Sequence, residues 1–425
     1  MLLIKNGTIV DPKKDELYQA DILVEGDRII RVGEGIEMPG ADVIDASGQY
    51  VAPGLIDVHV HFRDPGFTHK EDIYTGAKAA AAGGYTTIVL MANTNPTVDN
   101  VDTLRYVIDK GAETDINIYT CATVTMGMQG QTMVDMDQLY KKGAVGFTDD
   151  GKPIMDEALV RAAMEKVAKL DVPISFHEEN PAFIENNGVN HGKASEYYGI
   201  GGSDRIAEID MIKRDIELAL ETGAQIDIQH ISSKEGVELV RQGRARAISM
   251  GMAEPNIHAE ATPHHFALTE EAVIEHGTLA KMNPPLRTNE DRLAIIEALK
   301  DGTIDMIATD HAPHAAAEKA EDITKAPSGI IGLETALPLA ITHLYHEAGM
   351  SLNDIIRKLT INPANLYHLN AGLLDEGAIA DICIFDINAK QTFTKYASKS
   401  SNSPFTGKEL TGKLSHTICR GKVVY

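Results

Sequence analysis

Between about residues 53 and 370, short apolar runs alternate with segments whose apolar residues recur every three or four positions. The runs end near His61, Met91, Cys121, Phe147, His177, His230, Glu260 and Thr309, at intervals of about 30 residues with two near 50. Short apolar runs bounded by turn residues read as buried strands, and the intervening periodicity reads as helix, for example over 70–82, 157–169, 204–221 and 290–299. Eight such strand-helix units predict an α/β fold with a closed, TIM-like (β/α)8 barrel, which needs about 250 residues or more. The two ends of the chain differ from this middle. Strand-like runs separated by Gly and Asp turns occupy 2–10, 21–24, 28–32 and 42–45, and they return at 381–385, 391–394, 416–419 and 422–425. The predicted organisation is therefore a barrel over 53–370 and a small β-sandwich domain assembled from 1–52 and 371–425. At the first helix, Thr68 and Glu71 have the spacing of a capping box. The polar, alanine-rich run 315–325, after the eighth strand, is expected to be mobile and able to close over a site.

Composition narrows the partners. The net charge of −23 disfavours nucleic acid and anionic membranes, both of which reward clustered Lys and Arg. No apolar run approaches 18 residues, and the first residues pass straight into strand-like alternation, so a cytoplasmic protein is expected. Cys121, Cys383 and Cys419 lie far apart without CxxC spacing, which fits buried free thiols in a reducing compartment.

Candidate chemistry sits where the apolar runs end. In Asp57-Val58-His59-Val60-His61-Phe62-Arg63 the two histidines are one residue apart, and alternation along a strand points both to the same side. Two imidazoles converging on one point begin a zinc, iron or nickel site. Arg63 is placed to hold an anion beside it, against an unfavourable overall field. The fourth run ends Thr148-Asp149-Asp150, the fifth at His177, the sixth at His230 and the eighth Thr309-Asp310-His311. Strand C-termini are the catalytic face of such barrels. Four histidines and two aspartates around one cavity exceed the three protein ligands of a catalytic zinc and suffice for two metals. The chemistry that follows is addition of hydroxide to an amide carbonyl, or its reverse.

Three stretches, DVHVHFRDP (57–65), ATDHAPHAAAEK (308–319) and GIIGLETALP (329–338), with MANTNP (91–96) and KMNPPLR (281–287), resemble the amidohydrolase superfamily and within it the bacterial class I dihydroorotases. The resemblance spans essentially the whole chain. It implies two Zn2+ per chain, with His59, His61 and Asp310 on one, His177 and His230 on the other, and Asp150 and a hydroxide bridging them. Many relatives bridge with a carboxylated lysine where this chain has Thr148, and Lys152, after Gly151, is badly placed to replace it. The resemblance further implies Arg63, Asn93 and His314 as substrate-carboxylate contacts, Asn283 as a contact to the pyrimidine ring, and Asp310 as the catalytic proton carrier. The activity implied is reversible cyclisation of the small molecule N-carbamoyl-L-aspartate to L-dihydroorotate in pyrimidine biosynthesis. Its rivals are an allantoinase or hydantoinase, and an inactive relative serving as a partner of aspartate transcarbamoylase. A homodimer and an association of the active enzyme with that transcarbamoylase both remain open. Ser328 departs from the Phe common before Gly329 in this branch. His264 and His265 find no ligand position and read as supporting residues.

Overall fold

The computed structural model describes residues 1–425. Five strands open the chain: β1 (Leu2–Asp11), β2 (Glu16–Glu25), β3 (Arg28–Gly33), β4 (Asp42–Asp45) and β5 (Tyr50–Pro53). Eight follow in the middle: β6 (Leu55–Val60), β7 (Tyr85–Leu90), β8 (Asn117–Thr120), β9 (Phe147–Thr148), β10 (Ile174–Phe176), β11 (Ile226–Ile228), β12 (Ile257–Ala261) and β13 (Met306–Ile307). The last three are β14 (Ile382–Thr392), β15 (Glu409–Cys419) and β16 (Lys422–Val423).

β6 to β13 pair in parallel, as a three-stranded set β6-β7-β8 and a five-stranded set β9 to β13. Single parallel bridges, Ala122 with Phe147 and Val60 with His311, join the two sets at both seams into a ring. Every residue of β6 and β7 is buried, as expected of strands covered on both faces. The helices between them follow the periodicity: 157–169 is observed as Glu157–Leu170, capped by Asp156 and ended by Asp171 in the left-handed region. The other two are observed as Ile206–Thr222 and Asn289–Asp301.

The chain ends meet in one eight-stranded sheet. Ile382 of β14 stands opposite Pro53 of β5, and β5 lies parallel to β1. Isoleucines and valines from both ends, among them Ile4, Ile22, Val51, Ile382 and Ile418, form a separate apolar core within it. Cys383, Phe385 and Leu414 instead join the main core of the barrel and its helices, so the sheet docks on the barrel through an unbroken apolar contact. All three cysteines are free and buried. No helix is long and apolar enough to cross a membrane.

One local expectation is corrected. The first helix begins at Ile73, and its cap is Asp72 with Thr75 in a capping box, where Thr68 and Glu71 were expected. Glu71 is unavailable because its buried carboxylate accepts from Ser398 and Lys399 in the C-terminal part of the chain. Residues 315–325 are mostly exposed, with Lys319 and Ile323 buried among them. A short helix, Ala316–Lys319, ends in a buried lysine whose ammonium donates to the Pro327 and Gly329 carbonyls at 2.8 and 3.0 Å. Burial beside Lys281 pulls the Lys319 pKa down to about 7.

Candidate metal centre and anion site

The β6 alternation brings His59 and His61 to the C-terminal rim of the barrel, and both are buried. Asp57, two residues earlier, accepts from the backbone of His59 and of Thr309, lacing the first barrel strand to the eighth. The His59 Nδ1 stands 2.9 Å from Glu260 at the end of β12. Its Nε2 is buried without a hydrogen-bond partner, 3.6 Å from carboxylate oxygens of both Asp150 and Asp310. The His61 Nδ1 meets the Asn93 Oδ1 at 2.9 Å, while its Nε2 faces Asp310 at 3.0 Å and Asp150 at 3.4 Å.

The opposite half comes from β10 and β11. The His177 Nδ1 lies 3.0 Å from the His230 Nε2 and 3.7 Å from Asp150, and its Nε2 is held by Glu179 at 3.0 Å. Asp150 is gripped by the Asn93 amide at 3.0 Å. Two buried groups, His59-His61-Asp150 and Asp150-His177-His230, thus share one aspartate, with ligand atoms within 4.8 Å of one another in each.

This donor set fits a cation pair. The His59 nitrogen, buried without a partner and facing two carboxylates, is a group that a packed interior would not leave unsatisfied. The electrostatics agree. Burial alone would raise the Asp310 carboxyl, but the His61 hydrogen bond and the charges of His59 and His61 hold it well below the usual range. Burial opposes a charge on His59, yet Glu260, Asp150 and Asp310 pull its pKa well above the usual value. Burial and the neighbouring His177 and His59 push His230 well below it. The carboxylates seek positive charge in the space that the histidine nitrogens line.

On the rim, Arg63 sits at φ +60° and is half-buried. Its Nε donates to the Pro313 carbonyl at 3.2 Å, and its Nη2 is 3.4 Å from the His314 Nε2. His314 donates from Nε2 to the Ser328 carbonyl at 2.8 Å and receives the Lys70 ammonium on Nδ1 at 3.2 Å. Burial, then the charges of Arg63 and Lys70, lower its pKa to about 2, so it is neutral. The Asn283 Oδ1 is buried and unpartnered. Gly188, at φ +76°, lies against Ser328, Lys281 and Asn283, so the segment after β10 covers this end of the site.

Thr148 is buried inside the barrel, where its hydroxyl accepts from Gln229 at 3.3 Å, and Lys152 is exposed. His265 donates from Nε2 to the Pro284 carbonyl at 3.0 Å. Sequence reasoning did not recruit Glu260 or Glu179. Glu260 ends the seventh barrel strand, a position equivalent to His177 and His230, and that equivalence was the available signal. Away from the rim, a polar cavity of about 600 Å3 lined by Arg244, His258, Asp305 and Lys358 lies at the N-terminal ends of the strands. Within it Asp305 binds His258 at 2.7 Å and Arg244 at 3.1 Å.

The amidohydrolase family model matches residues 50–424. The dihydroorotase of Clostridioides difficile is 53% identical over 426 residues, covering 100% of both chains. That of Clostridium acetobutylicum is 52% identical, over 100% of this chain and 99% of its own. The chain belongs to the amidohydrolase family, in its dihydroorotase branch. Among solved structures, the L-hydantoinase (dihydropyrimidinase) of Arthrobacter aurescens superposes on this amidohydrolase with a TM-score of 0.88 at 26% identity, over 99% of this chain and 95% of its own. The amidohydrolase barrel is thus common to both groups, whereas the identity in sequence lies with the dihydroorotases. The protein is an enzyme that hydrolyses, or in reverse closes, a cyclic amide.

Proposed function

We propose that the enzyme interconverts N-carbamoyl-L-aspartate and L-dihydroorotate, and that His59, His61, Asp310, His177 and His230, with Asp150 common to both groups, would hold two zinc ions. The observation that carries the substrate assignment is Arg63. In a chain of net charge −23, a half-buried guanidinium beside a metal-binding cluster has its role in pairing with an anion, and dihydroorotate brings a carboxylate. When bound, the metals would polarise the amide carbonyl and lower the pKa of a water.

The protein's own groups do the rest. Arg63 binds the carboxylate, neutral His314 joins it by turning its Nε2–H from the Ser328 carbonyl to the same anion, and the free Asn283 Oδ1 accepts from a ring N–H. Asn93 joins this carboxylate pocket to the cluster, since it already bridges His61 and Asp150. Asp310, between the histidines and the rim, takes the proton of the attacking water and returns it to the departing ring nitrogen. No nucleophilic side chain is required. A hydantoinase reading is disfavoured by Thr148 at the bridging-lysine position and by the carboxylate pocket. The division into a barrel of 53–370 and a β-unit of 1–52 with 371–425 belongs to the same proposal, supported by the β5-β14 pairing. So does a cytoplasmic location, which three buried free thiols favour.

Arg63→Met tests the assignment. Losing a desolvated charge partner costs on the order of 2 to 5 kcal/mol, so kcat/KM for dihydroorotate should fall by roughly 30-fold to several thousand-fold. Slow hydrolysis of neutral dihydrouracil should stay nearly unchanged. Equal losses on both substrates would make Arg63 structural, and a wild-type enzyme preferring hydantoin would overturn the reading.

A further inference from the structure

The antiparallel strands β14 and β15 are joined by residues 393–408. Hairpin connections are usually about 2 to 5 residues long, and structureless loops beyond about 12 to 15 are uncommon and tend to be functional. This one also runs inward. Ser398, Ser400, Asn402 and Ser403 are at most 7% exposed, although loop backbone normally stays in water.

Its polar groups go to two places. On one side, Ser398 donates to Glu71, the Lys399 ammonium to the Thr68 carbonyl at 2.6 Å, and the Ser400 hydroxyl to the Lys70 carbonyl at 2.7 Å. Thr68, Lys70 and Glu71 directly follow the turn in which the Phe67 N–H donates to the Arg63 carbonyl at 2.8 Å. On the other side, the Asn402 amide donates to the Ala312 and Gly329 carbonyls, both at 3.1 Å, and its Oδ1 accepts from the His314 N–H at 3.1 Å. The Asn402 carbonyl accepts from Ile331 at 3.0 Å. One segment of the β-sheet connection therefore holds the backbone behind Arg63 and the backbone behind His314 at once.

We infer that residues 398–402 are a strap that sets the spacing of Arg63 and His314, with Asn402 as its positioning residue for the substrate carboxylate. The inference rests on the dihydroorotase reading for the identity of the anion. Arg63 and His314 lie on loops after the first and eighth barrel strands, which are joined near the rim by the Val60-His311 bridge. Above that bridge the strap supplies the bonds that tie the two loops together through a third element. The histidines of the cluster make no hydrogen bond with it, so its loss should spare the metals.

The experiment uses the purified metal-loaded enzyme. Asn402→Ala should raise KM for dihydroorotate about tenfold or more while kcat falls less than about threefold, since a small misplacement of a binding group weakens positioning steeply. Metal content should match wild type. In an Arg63→Met background the same change should add little, because the anion partner is already gone. Ser400→Ala removes a single bond on the Arg63 side and should raise KM about threefold, which keeps the test intact if Asn402→Ala fails to fold. An unchanged KM in Ser400→Ala and Asn402→Ala, a full additive loss with Arg63→Met, or a loss of metal would each overturn the strap. A wild-type enzyme inert toward dihydroorotate would instead overturn the proposed function.

Discussion

At the scale of single residues, the cluster is organised by groups that hold the imidazoles from behind. Glu260 takes the His59 Nδ1, Asn93 the His61 Nδ1, and Glu179 the His177 Nε2. Each orients its ring so that the other nitrogen faces the cluster: His59 and His61 present Nε2 while His177 presents Nδ1. Removing such a partner costs about 10- to 100-fold in metal affinity. Glu260→Ala should therefore weaken binding of at least one metal by that factor in a chelator competition, while Glu260→Gln, which still accepts from Nδ1–H, keeps most of it. Wild-type affinity in Glu260→Ala would show that packing alone orients His59. The clustering of the histidines was legible because strand alternation and strand ends mark them along the chain. Glu260 was not recruited because its partner is 201 residues away, and only closure of the ring brings them together.

Elements were legible where local sequence decides them. Helix Glu157–Leu170 has its cap, its apolar spacing and its stop within its own residues, and its limits agree with the periodicity. The first helix failed this test because Glu71, which has the right spacing to cap locally, is bonded by Ser398 and Lys399 more than 300 residues later. Tertiary partners outcompeted the capping box. The segment after β10 shows the same dependence on distant neighbours. Gly188 is at φ +76°, and a Cβ there would press on Lys281 at 2.9 Å and on the Asn283 Oδ1 at 3.0 Å. A left-handed conformation costs an L-residue roughly 1 to 2 kcal/mol. Gly188→Ala should thus lift the segment from Asn283 and raise KM by about 5- to 30-fold, with metal content unchanged. A variant with wild-type KM would mean that the segment does not touch bound substrate.

Across the whole molecule, the catalytic rim and the opposite end of the barrel use charge differently. The rim gathers Asp150 and Asp310 among histidines in groups that could hold a cation. The N-terminal end buries a cation beside its own carboxylates, at Lys358, the last residue of helix Leu352–Lys358. Lys358 donates to the Ile304 carbonyl at 2.8 Å, just before β13. The two-ended sheet could be read from the strand-like runs, and the barrel from eight repeats, but this buried lysine could not, because nothing in its local sequence sets its depth. Burial lowers its pKa from 10.5 to about 8, against the pull of Asp305 and Asp354. The folded protein then binds fewer protons than the unfolded chain between pH 8 and 10.5, so stability rises with pH across that window. Below about pH 8 both states are protonated, and the full penalty is present and constant. At about 1.4 kcal/mol per pKa unit, wild type should gain on the order of 3 kcal/mol relative to Lys358→Met between pH 8 and 10.5. Chemical denaturation of both proteins at several pH values measures the difference, and subtracting the variant removes every other titration. Curves that stay parallel would show that Lys358 keeps its proton in the fold, stabilised by Asp305 and Asp354 more strongly than burial opposes it.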